Sequence, residues 1–306
     1  MSAETDMQDD TIASPDWRVL VDAQTLAGLL EAEPHRDDLV IVDCRFSLMA
    51  PDAGEAAWRS AHLPGARYAH LDRDLSDHGK QGQGRHPWPD AGGLAQRLGA
   101  LGIAPGQQVV AYDDGDGAFA SRLWALLRWL GHRRVAVLDG GWARWTALEL
   151  PVETTMPAAI ASPAPYPLAT APAALLDADA VQAHVAAGGL LVDARAGERF
   201  RGDVEPIDKV AGHVPGAVNR PYSQNLSDGR FKSPQQLREA FDALLAGRAA
   251  GDTVVMCGSG VTACHQLLAM AHAGYEDARL YPGSWSGWIS DPSRPIATGD
   301  GSADLP

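Results

Sequence analysis

Short apolar runs alternate with helical stretches along most of the chain. The runs at 39–42, 109–112 and 135–138 have the length of buried strands, and 121–130 has the pattern of a helix. Such alternation is typical of an α/β fold, in which a mainly parallel sheet is covered by helices. Ligands of these folds bind beyond the carboxyl ends of the strands, so the residues that follow the apolar runs are candidates for function.

The chain also contains an internal duplication with an offset of about 145 to 150 residues. Four short segments recur in the same order, beginning at residues 41, 61, 109 and 140 in the first copy and at 191, 212, 253 and 283 in the second. One of them is Ala-His-Leu-Pro-Gly-Ala, which returns as Gly-His-Val-Pro-Gly-Ala. We therefore predict two copies of one domain, at 17–150 and 175–296. The stretch at 151–174, rich in Pro, Ala and Thr, is predicted to be an extended linker.

Cys257 opens the sequence Cys-Gly-Ser-Gly-Val-Thr-Ala, which separates a predicted strand from a predicted helix. The two glycines allow successive backbone N–H groups to curl inwards, and the N-terminus of the helix adds partial positive charge. Both features favour a thiolate, which is the reactive form of cysteine. The pattern predicts a nucleophile at Cys257. The alternative interpretation is a small buried cysteine beside a tight turn.

The two copies differ at this position. Asp113 in the first copy stands where the second has Cys257. A carboxylate is a poor replacement for a thiolate in sulfur chemistry, so we predict that the second domain is catalytic. The first domain is then a non-catalytic partner that furnishes one wall of an interdomain cleft.

The composition argues against several partners and compartments. The chain has 25 Lys and Arg against 39 Asp and Glu, a formal net charge of −14, which disfavours nucleic acid and anionic membranes. No long apolar run and no apolar signal segment is present, so we expect a cytoplasmic protein. Cys44, Cys257 and Cys264 form no Cys-x-x-Cys pair, which fits a reducing compartment.

These motifs resemble those of the two-domain rhodanese-like sulfurtransferases over nearly the whole chain. The loop at Cys257 is most similar to that of 3-mercaptopyruvate sulfurtransferases, whereas thiosulfate-type rhodaneses typically carry basic residues just after the cysteine. The resemblance implies tandem rhodanese-like domains, each with a mainly parallel sheet flanked by helices. It implies a small-molecule sulfur donor, a persulfide on the cysteine and an acceptor that is cyanide, a small thiol or a thioredoxin-like protein. It implies no metal and no organic cofactor.

The resemblance assigns roles residue by residue. Cys257 matches the nucleophile, and Ser259 matches a loop serine that bonds the donor or the departing enolate. Arg199 matches an arginine that holds the carboxylate of the donor. The remaining positions of the loop match the cradle around the substrate: Gly258, Gly260, Val261 and Thr262.

A second substrate arginine, expected just after Glu205-Pro206, is absent, and Ile207 and Asp208 stand there. Lys209 and Arg201 are therefore candidates for this contact, although a lysine lacks the two-pronged geometry of an arginine. The loop itself carries no charged side chain, so we expect the dianion thiosulfate to meet only backbone dipoles there. Mercaptopyruvate is accordingly the predicted donor, and thiosulfate is the alternative.

Other conspicuous residues have structural interpretations beside functional ones. His62 recurs in the second copy as part of a shared turn, and its alternative role is to donate a proton in the cleft. The loop containing Arg85 and His86 either walls the site or lies on the surface. The Asp-x-Arg pairs at 43–45 and 193–195 are predicted structural ion pairs, and the repeated tryptophans are predicted to pack in the core.

Two other classes of function compete with sulfur transfer. A Cys-x5-Arg phosphatase needs an arginine six positions after the cysteine, where this chain has Ala263. A non-catalytic binding module is the other class, and retention of Cys257 with its glycines argues against it.

Overall fold

Each half of the chain forms a parallel β-sheet flanked by α-helices, which confirms the predicted α/β class. The structure is a computed structural model, and it describes residues 14–34, 36–160, 163–167 and 175–301. The three apolar runs named above are strands, and the helical stretch is a helix. No helix within the described ranges is long and apolar enough to cross a bilayer.

The first half contains five strands in the order β1-β5-β4-β2-β3, all paired in parallel. Its elements are β1 Leu20–Val21, α1 Ala23–Ala32, β2 Leu39–Asp43, α2 Ala53–Ser60, β3 Arg67–Tyr68, α3 Ala91–Ala100, β4 Gln108–Tyr112, α4 Ala120–Trp129, β5 Val135–Leu138 and α5 Gly141–Ala147. Strand β4 is buried along its whole length because it lies in the middle of the sheet.

The second half repeats this plan with one strand fewer, in the order β11-β10-β6-β7. Its elements are α6 Ala178–Ala186, β6 Leu190–Asp193, α7 Gly197–Arg201, β7 Ala217–Asn219, β8 Leu226–Ser227, β9 Arg230–Phe231, α8 Pro234–Leu245, β10 Thr253–Met256, α9 Thr262–His272, β11 Arg279–Leu280 and α10 Ser284–Trp288. The counterpart of β1 is reduced here to a single bridge between Leu175 and Leu280 of β11. Strands β8 and β9 form a separate antiparallel hairpin.

The two halves share one apolar core. Leu123 and Leu127 of α4 belong to the same buried cluster as Leu268 of α9. Because α4 follows β4 and α9 follows β10, this packing brings the carboxyl ends of the two central strands towards each other. Asp113 follows β4 and Cys257 follows β10, so the loops that contain them occupy equivalent positions in the two sheets.

The buried ions and tryptophans follow the sequence predictions. Arg45 pairs with Asp43 at 2.6 Å, and Arg195 pairs with Asp193 at 2.6 Å, so the two structural ion pairs are confirmed. The tryptophans at 145, 285 and 288 are fully buried. Asp43 ends β2 and Asp193 ends β6, and each of these strands pairs with the central strand of its sheet.

Part of the predicted linker lies outside the described residues, namely 161, 162 and 168–174. In its described part, Glu153 forms an antiparallel bridge with His62 of the first domain. The domain boundaries at 17–150 and 175–296 remain predictions.

Candidate active site

Cys257 directly follows β10, where the chain turns into α9. Its side chain is buried, and its Sγ accepts a hydrogen bond from the backbone N–H of Gly260 at 3.1 Å. Gly260 has a φ of +78°, and a Cβ at this position would lie 2.4 Å from the carbonyl oxygen of Pro282. Only glycine fits this turn, which brings the amide to the sulfur. The loop therefore provides a hydrogen-bond donor for a sulfur anion.

The start of α10 holds the other side of the cysteine. The N–H of Cys257 donates to Ser284 Oγ at 3.0 Å, and this oxygen lies 3.9 Å from Cys257 Sγ. The N–H groups of Trp285 and Ser286 donate to the carbonyls of Cys257 and Gly258 at 2.9 Å. The Gly-Ser-Trp segment, whose tryptophan the sequence assigned to packing, thus also fixes the backbone of Cys257. Sequence reasoning missed Ser284, although the repeated motif marked its position.

Ser259 is the first member of a chain of three polar side chains that crosses between the domains. Its Oγ lies 2.8 Å from Nδ1 of His86, and Nε2 of His86 lies 3.5 Å from Oδ1 of Asp72. Burial lowers the pKa of His86 to about 3, and the positive charges of Arg122 and Arg85 act in the same direction. His86 is therefore neutral near pH 7. With the ring proton on Nε2, on the side of Asp72, Nδ1 accepts a hydrogen bond from the Ser259 hydroxyl.

Two arginines lie on the opposite side of the loop. Arg199 of α7 donates from Nη2 to Glu205 at 2.8 Å and to Asp208 at 3.0 Å. Arg85, from the first domain, donates from Nη1 to the other oxygen of Asp208 at 2.6 Å. A Cβ built on Gly258 would lie 3.3 Å from Arg85 Nη2 and 3.5 Å from Arg199 Nη1. The expectation that an anion at this loop meets only backbone dipoles is therefore wrong, since both guanidinium groups reach it from other segments.

These groups surround a cavity of about 180 Å³ between the two domains. The first domain contributes Leu48, Arg85, His86, Asp116, Ala118 and Phe119, and the second contributes Arg199, Ile207, Tyr222, Cys257, Gly258, Ser259, Val261 and Thr262. The cavity thus combines a thiol, a hydroxyl paired with an imidazole, and two guanidinium groups. Within the described ranges, no three or more His, Cys, Asp or Glu side chains are grouped to hold a metal ion.

Comparison with known proteins agrees with this geometry. The model of the rhodanese-like domain matches residues 22–148 and 177–291. This chain belongs to the rhodanese-like family.

Proteins of this family resemble the chain over almost its full length. A probable 3-mercaptopyruvate sulfurtransferase of Pseudomonas aeruginosa is 50% identical over 92% of this chain and 98% of its own. A putative thiosulfate sulfurtransferase, SseB of Mycobacterium tuberculosis, is 41% identical over 92% and 98%. The structure of 3-mercaptopyruvate sulfurtransferase from Leishmania major aligns with a TM-score of 0.75 and 30% identity, over 88% of this chain and 73% of that one.

The rhodanese-like structure brings together some of the predicted site residues and separates others. Arg199 and the loop residues Cys257, Gly258, Ser259, Val261 and Thr262 line the cavity. Gly260 contributes its N–H to the sulfur. Lys209 is exposed and Arg201 pairs with Asp203 at 2.7 Å, and neither side chain lines the cavity.

His62 also lies outside the lining of the cavity. Its Nδ1 is 2.8 Å from the carbonyl oxygen of Trp58, and its buried Nε2 has no hydrogen-bond partner among the described residues. His213 repeats this arrangement with the carbonyl oxygen of Phe200, also at 2.8 Å. The matching surroundings favour the shared turn over a role as proton donor.

In the first domain, the loop equivalent to the active-site loop is filled by its own side chain. The buried carboxylate of Asp113 accepts hydrogen bonds from the N–H groups of Gly115, Gly117, Phe119 and Ala120 at 2.9 to 3.1 Å. Burial raises the pKa of Asp113 to about 6, and the charge of Asp116 acts in the same direction. The carboxylate of Asp113 therefore occupies the N–H groups of this loop, and none of these four is left to bind a sulfur donor.

A buried arginine connects the two domains behind the active-site loop. Arg122 of α4 donates to the carbonyl oxygens of Gly260 at 3.1 Å and of His86 at 3.0 Å. Cys264 also donates from its Sγ to the Gly260 carbonyl at 3.1 Å, and burial raises the pKa of Cys264 to about 12. Cys264 is therefore a thiol that supports the loop.

Proposed function

We propose that this sulfurtransferase takes its sulfur from 3-mercaptopyruvate, holds it as a persulfide on Cys257 and passes it to a thiol or to cyanide. The observation that carries the choice of donor is the contact between Ser259 and His86 beside the nucleophile, 2.8 Å between Oγ and Nδ1. Mercaptopyruvate leaves as an enolate that must gain a proton, and a hydroxyl coupled to an imidazole moves protons. Thiosulfate leaves as sulfite and needs no such group.

The first half-reaction transfers one sulfur atom. The Cys257 thiolate attacks the sulfur of mercaptopyruvate, a sulfur–sulfur bond forms, and the sulfur–carbon bond breaks. The electron pair of that bond passes to the enolate of pyruvate. The thiol proton of the donor ends on the methyl carbon of pyruvate, so the persulfide remains as an anion. The N–H of Gly260, which bonds Sγ at 3.1 Å, is placed to stabilise sulfur anions at this position.

Ser259 and His86 supply the path for that proton. Ser259 Oγ accepts the proton of the donor thiol while its own proton passes to Nδ1 of His86, and the reverse movement protonates the enolate. Since the pKa of His86 is lowered to about 3, the imidazolium exists only in passing. The carboxylate of Asp72, 3.5 Å from Nε2, offsets the transient charge of the ring.

The second half-reaction regenerates the enzyme. A thiolate or cyanide attacks the terminal sulfur of the persulfide, the sulfur–sulfur bond breaks, and Cys257 leaves as a thiolate. The cavity of about 180 Å³ suits cyanide and small thiols, and a thioredoxin-like protein is the larger acceptor that we propose beside them. The described cysteines at 44, 257 and 264 are free, which fits a reducing, cytoplasmic setting.

Two measurements test this function. Mass spectrometry after incubation with mercaptopyruvate should show a gain of one sulfur atom on the peptide that contains Cys257. Steady-state kinetics should give a higher kcat/KM for mercaptopyruvate than for thiosulfate. If the persulfide forms but kcat/KM is higher for thiosulfate than for mercaptopyruvate, thiosulfate is the donor, in line with the name of the mycobacterial relative. Absence of a persulfide with both donors would favour a binding module.

A further inference from the structure

We propose that Arg85, contributed by the first domain, is the second arginine that binds the carboxylate of the donor. The inference rests on the proposed function, because it assigns a residue to the same substrate. Ile207 and Asp208 stand where the resemblance led us to expect that arginine; the apolar side chain of Ile207 lines the cavity, and Asp208 is an anion that pairs with Arg85 and Arg199. A second cation for the donor therefore has to come from another segment.

Arg85 and Arg199 reach the same point from opposite domains. Arg85 precedes α3 of the first domain, and Arg199 belongs to α7 of the second. A Cβ on Gly258 would lie within 3.3 Å of the first guanidinium and 3.5 Å of the second. Gly258 is the residue next to Cys257, and its missing side chain lets both guanidinium groups approach the backbone beside Cys257.

Two carboxylates fix the orientation of these guanidinium groups. One carboxylate oxygen of Asp208 accepts a hydrogen bond from Arg85 Nη1 at 2.6 Å, and the other accepts one from Arg199 Nη2 at 3.0 Å. Glu205 accepts Arg199 Nε at 3.1 Å and Nη2 at 2.8 Å. The acidic side chains thus occupy one edge of each arginine and cancel its charge.

The nitrogens left over are the ones that face Gly258. Arg85 Nη2 and Arg199 Nη1 have no hydrogen-bond partner among the described residues, and they would lie 3.3 and 3.5 Å from a Cβ on Gly258. The buried Arg85 Nε also lacks a partner within that part of the chain. The two arginines and the two carboxylates of Glu205 and Asp208 carry no net charge together. Recognition of the donor therefore depends on directed N–H groups, which suit the two oxygens of one carboxylate.

The loop that carries Arg85 is held against the second domain. The N–H of Arg85 donates to Ser286 Oγ at 2.9 Å. A Cβ on the preceding Gly84 would lie 2.5 Å from the carbonyl oxygen of Gly283, so the two backbones are in close contact. Arg85 is consequently placed before the donor arrives, which reduces the entropy lost on binding.

The test compares Arg85→Met with Arg128→Met as a matched control. Arg128 is also a first-domain arginine paired with a second-domain carboxylate, Glu276 at 2.9 Å, but it does not line the cavity. The donors are mercaptopyruvate and mercaptoacetone, which is the same mercaptoketone without the carboxylate. We expect Arg85→Met to lower kcat/KM for mercaptopyruvate by about 10- to 100-fold and to change that for mercaptoacetone less than about twofold. Arg128→Met should change neither.

A second variant separates substrate binding from loss of the interdomain ion pair. Ile207→Arg, added to Arg85→Met, returns a guanidinium to the cavity wall. The double variant should have a kcat/KM for mercaptopyruvate at least about tenfold higher than that of Arg85→Met. Equal losses for the two donors in Arg85→Met, or no recovery in the double variant while thermal unfolding is normal, would overturn the assignment.

Pyruvate binding distinguishes failure of this inference from failure of the proposed donor. Titration calorimetry with Cys257→Ser should give a pyruvate affinity about 10- to 100-fold higher than with Cys257→Ser/Arg85→Met. That difference would support the role of Arg85 even if mercaptopyruvate proved a poor donor. Equal affinities, or no pyruvate binding by Cys257→Ser, would refute it.

Discussion

Replacement of Gly260 by alanine is the sharpest test of the cradle around Cys257. Gly260 has a φ of +78°, a conformation that costs an alanine about 1–2 kcal/mol. The new Cβ would also lie 2.4 Å from the carbonyl oxygen of Pro282, and no side-chain rotation relieves a contact between Cβ and backbone. Overpacking of this kind adds about 1–3 kcal/mol. We therefore expect Gly260→Ala to destabilise the protein by roughly 2–5 kcal/mol.

The same change should weaken catalysis. To relieve the overlap the loop must move, which lengthens the 3.1 Å bond from the Gly260 N–H to Cys257 Sγ. Loss of one hydrogen bond to a sulfur anion corresponds to about 1.5–3 kcal/mol, or about a 10- to 100-fold lower kcat/KM. Urea unfolding and steady-state kinetics with mercaptopyruvate measure the two effects separately.

Gly229→Ala is the matched control, because Gly229 has a φ of +72° but open space where a Cβ would stand. It should cost only the conformational term of about 1–2 kcal/mol and leave kcat/KM unchanged. If Gly260→Ala were no less stable than Gly229→Ala, the overlap with Pro282 would not exist as described. Full activity in a destabilised Gly260→Ala would show that the N–H to sulfur bond is dispensable.

Three further predictions concern the nucleophile and the polar chain beside it. Cys257→Ser should abolish persulfide formation while Cys264→Ser keeps most activity, as judged by mass spectrometry and turnover; an equally inactive, normally folded Cys264→Ser would contradict a mechanism with one reactive cysteine. Ser259→Ala should lower kcat/KM for mercaptopyruvate by about 100-fold and change that for thiosulfate little, because only the enolate needs a proton; equal losses would assign Ser259 to loop structure. His86 has a pKa of about 3 in the folded protein against 6.5 in the unfolded chain, so its contribution to stability is complete above pH 6.5 and is lost as the pH falls towards 3. Urea unfolding of His86→Gln should therefore show a smaller loss of stability between about pH 7.5 and 4.5 than the wild type, and identical slopes would argue against a buried neutral imidazole.

The parts of the site that lie within one continuous segment were predictable from the sequence. The loop from Cys257 to Thr262 is local, since its glycines, its strand and its helix are neighbours in the chain. The internal duplication marked Asp113 as the counterpart of the nucleophile, and the structure places both at the ends of equivalent strands.

The parts that depend on how the domains pack were not predictable. Asp72 belongs to no repeated segment, and nothing near it in sequence points to Ser259, which lies nearly two hundred residues away. His86 was assigned equally to the wall of the site and to the surface, because the chain pattern does not say which face of the first domain meets the second. For the same reason the sequence offers only Lys209 and Arg201, which lie near Ile207 in the chain, as candidates for the second cation, and nothing in it points to Arg85.

Arg122 has a consequence for how the protein unfolds. Its guanidinium is fully buried and is bonded to backbone carbonyls of both domains, among them that of Gly260. If the domains separated, those carbonyls and the charge would lose their partners together, and the apolar core shared by α4 and α9 would be exposed at the same step. We therefore expect the two halves to unfold in a single transition, with coincident urea midpoints by circular dichroism and tryptophan fluorescence, and the isolated second half to lose the support that Arg122 gives to its loop.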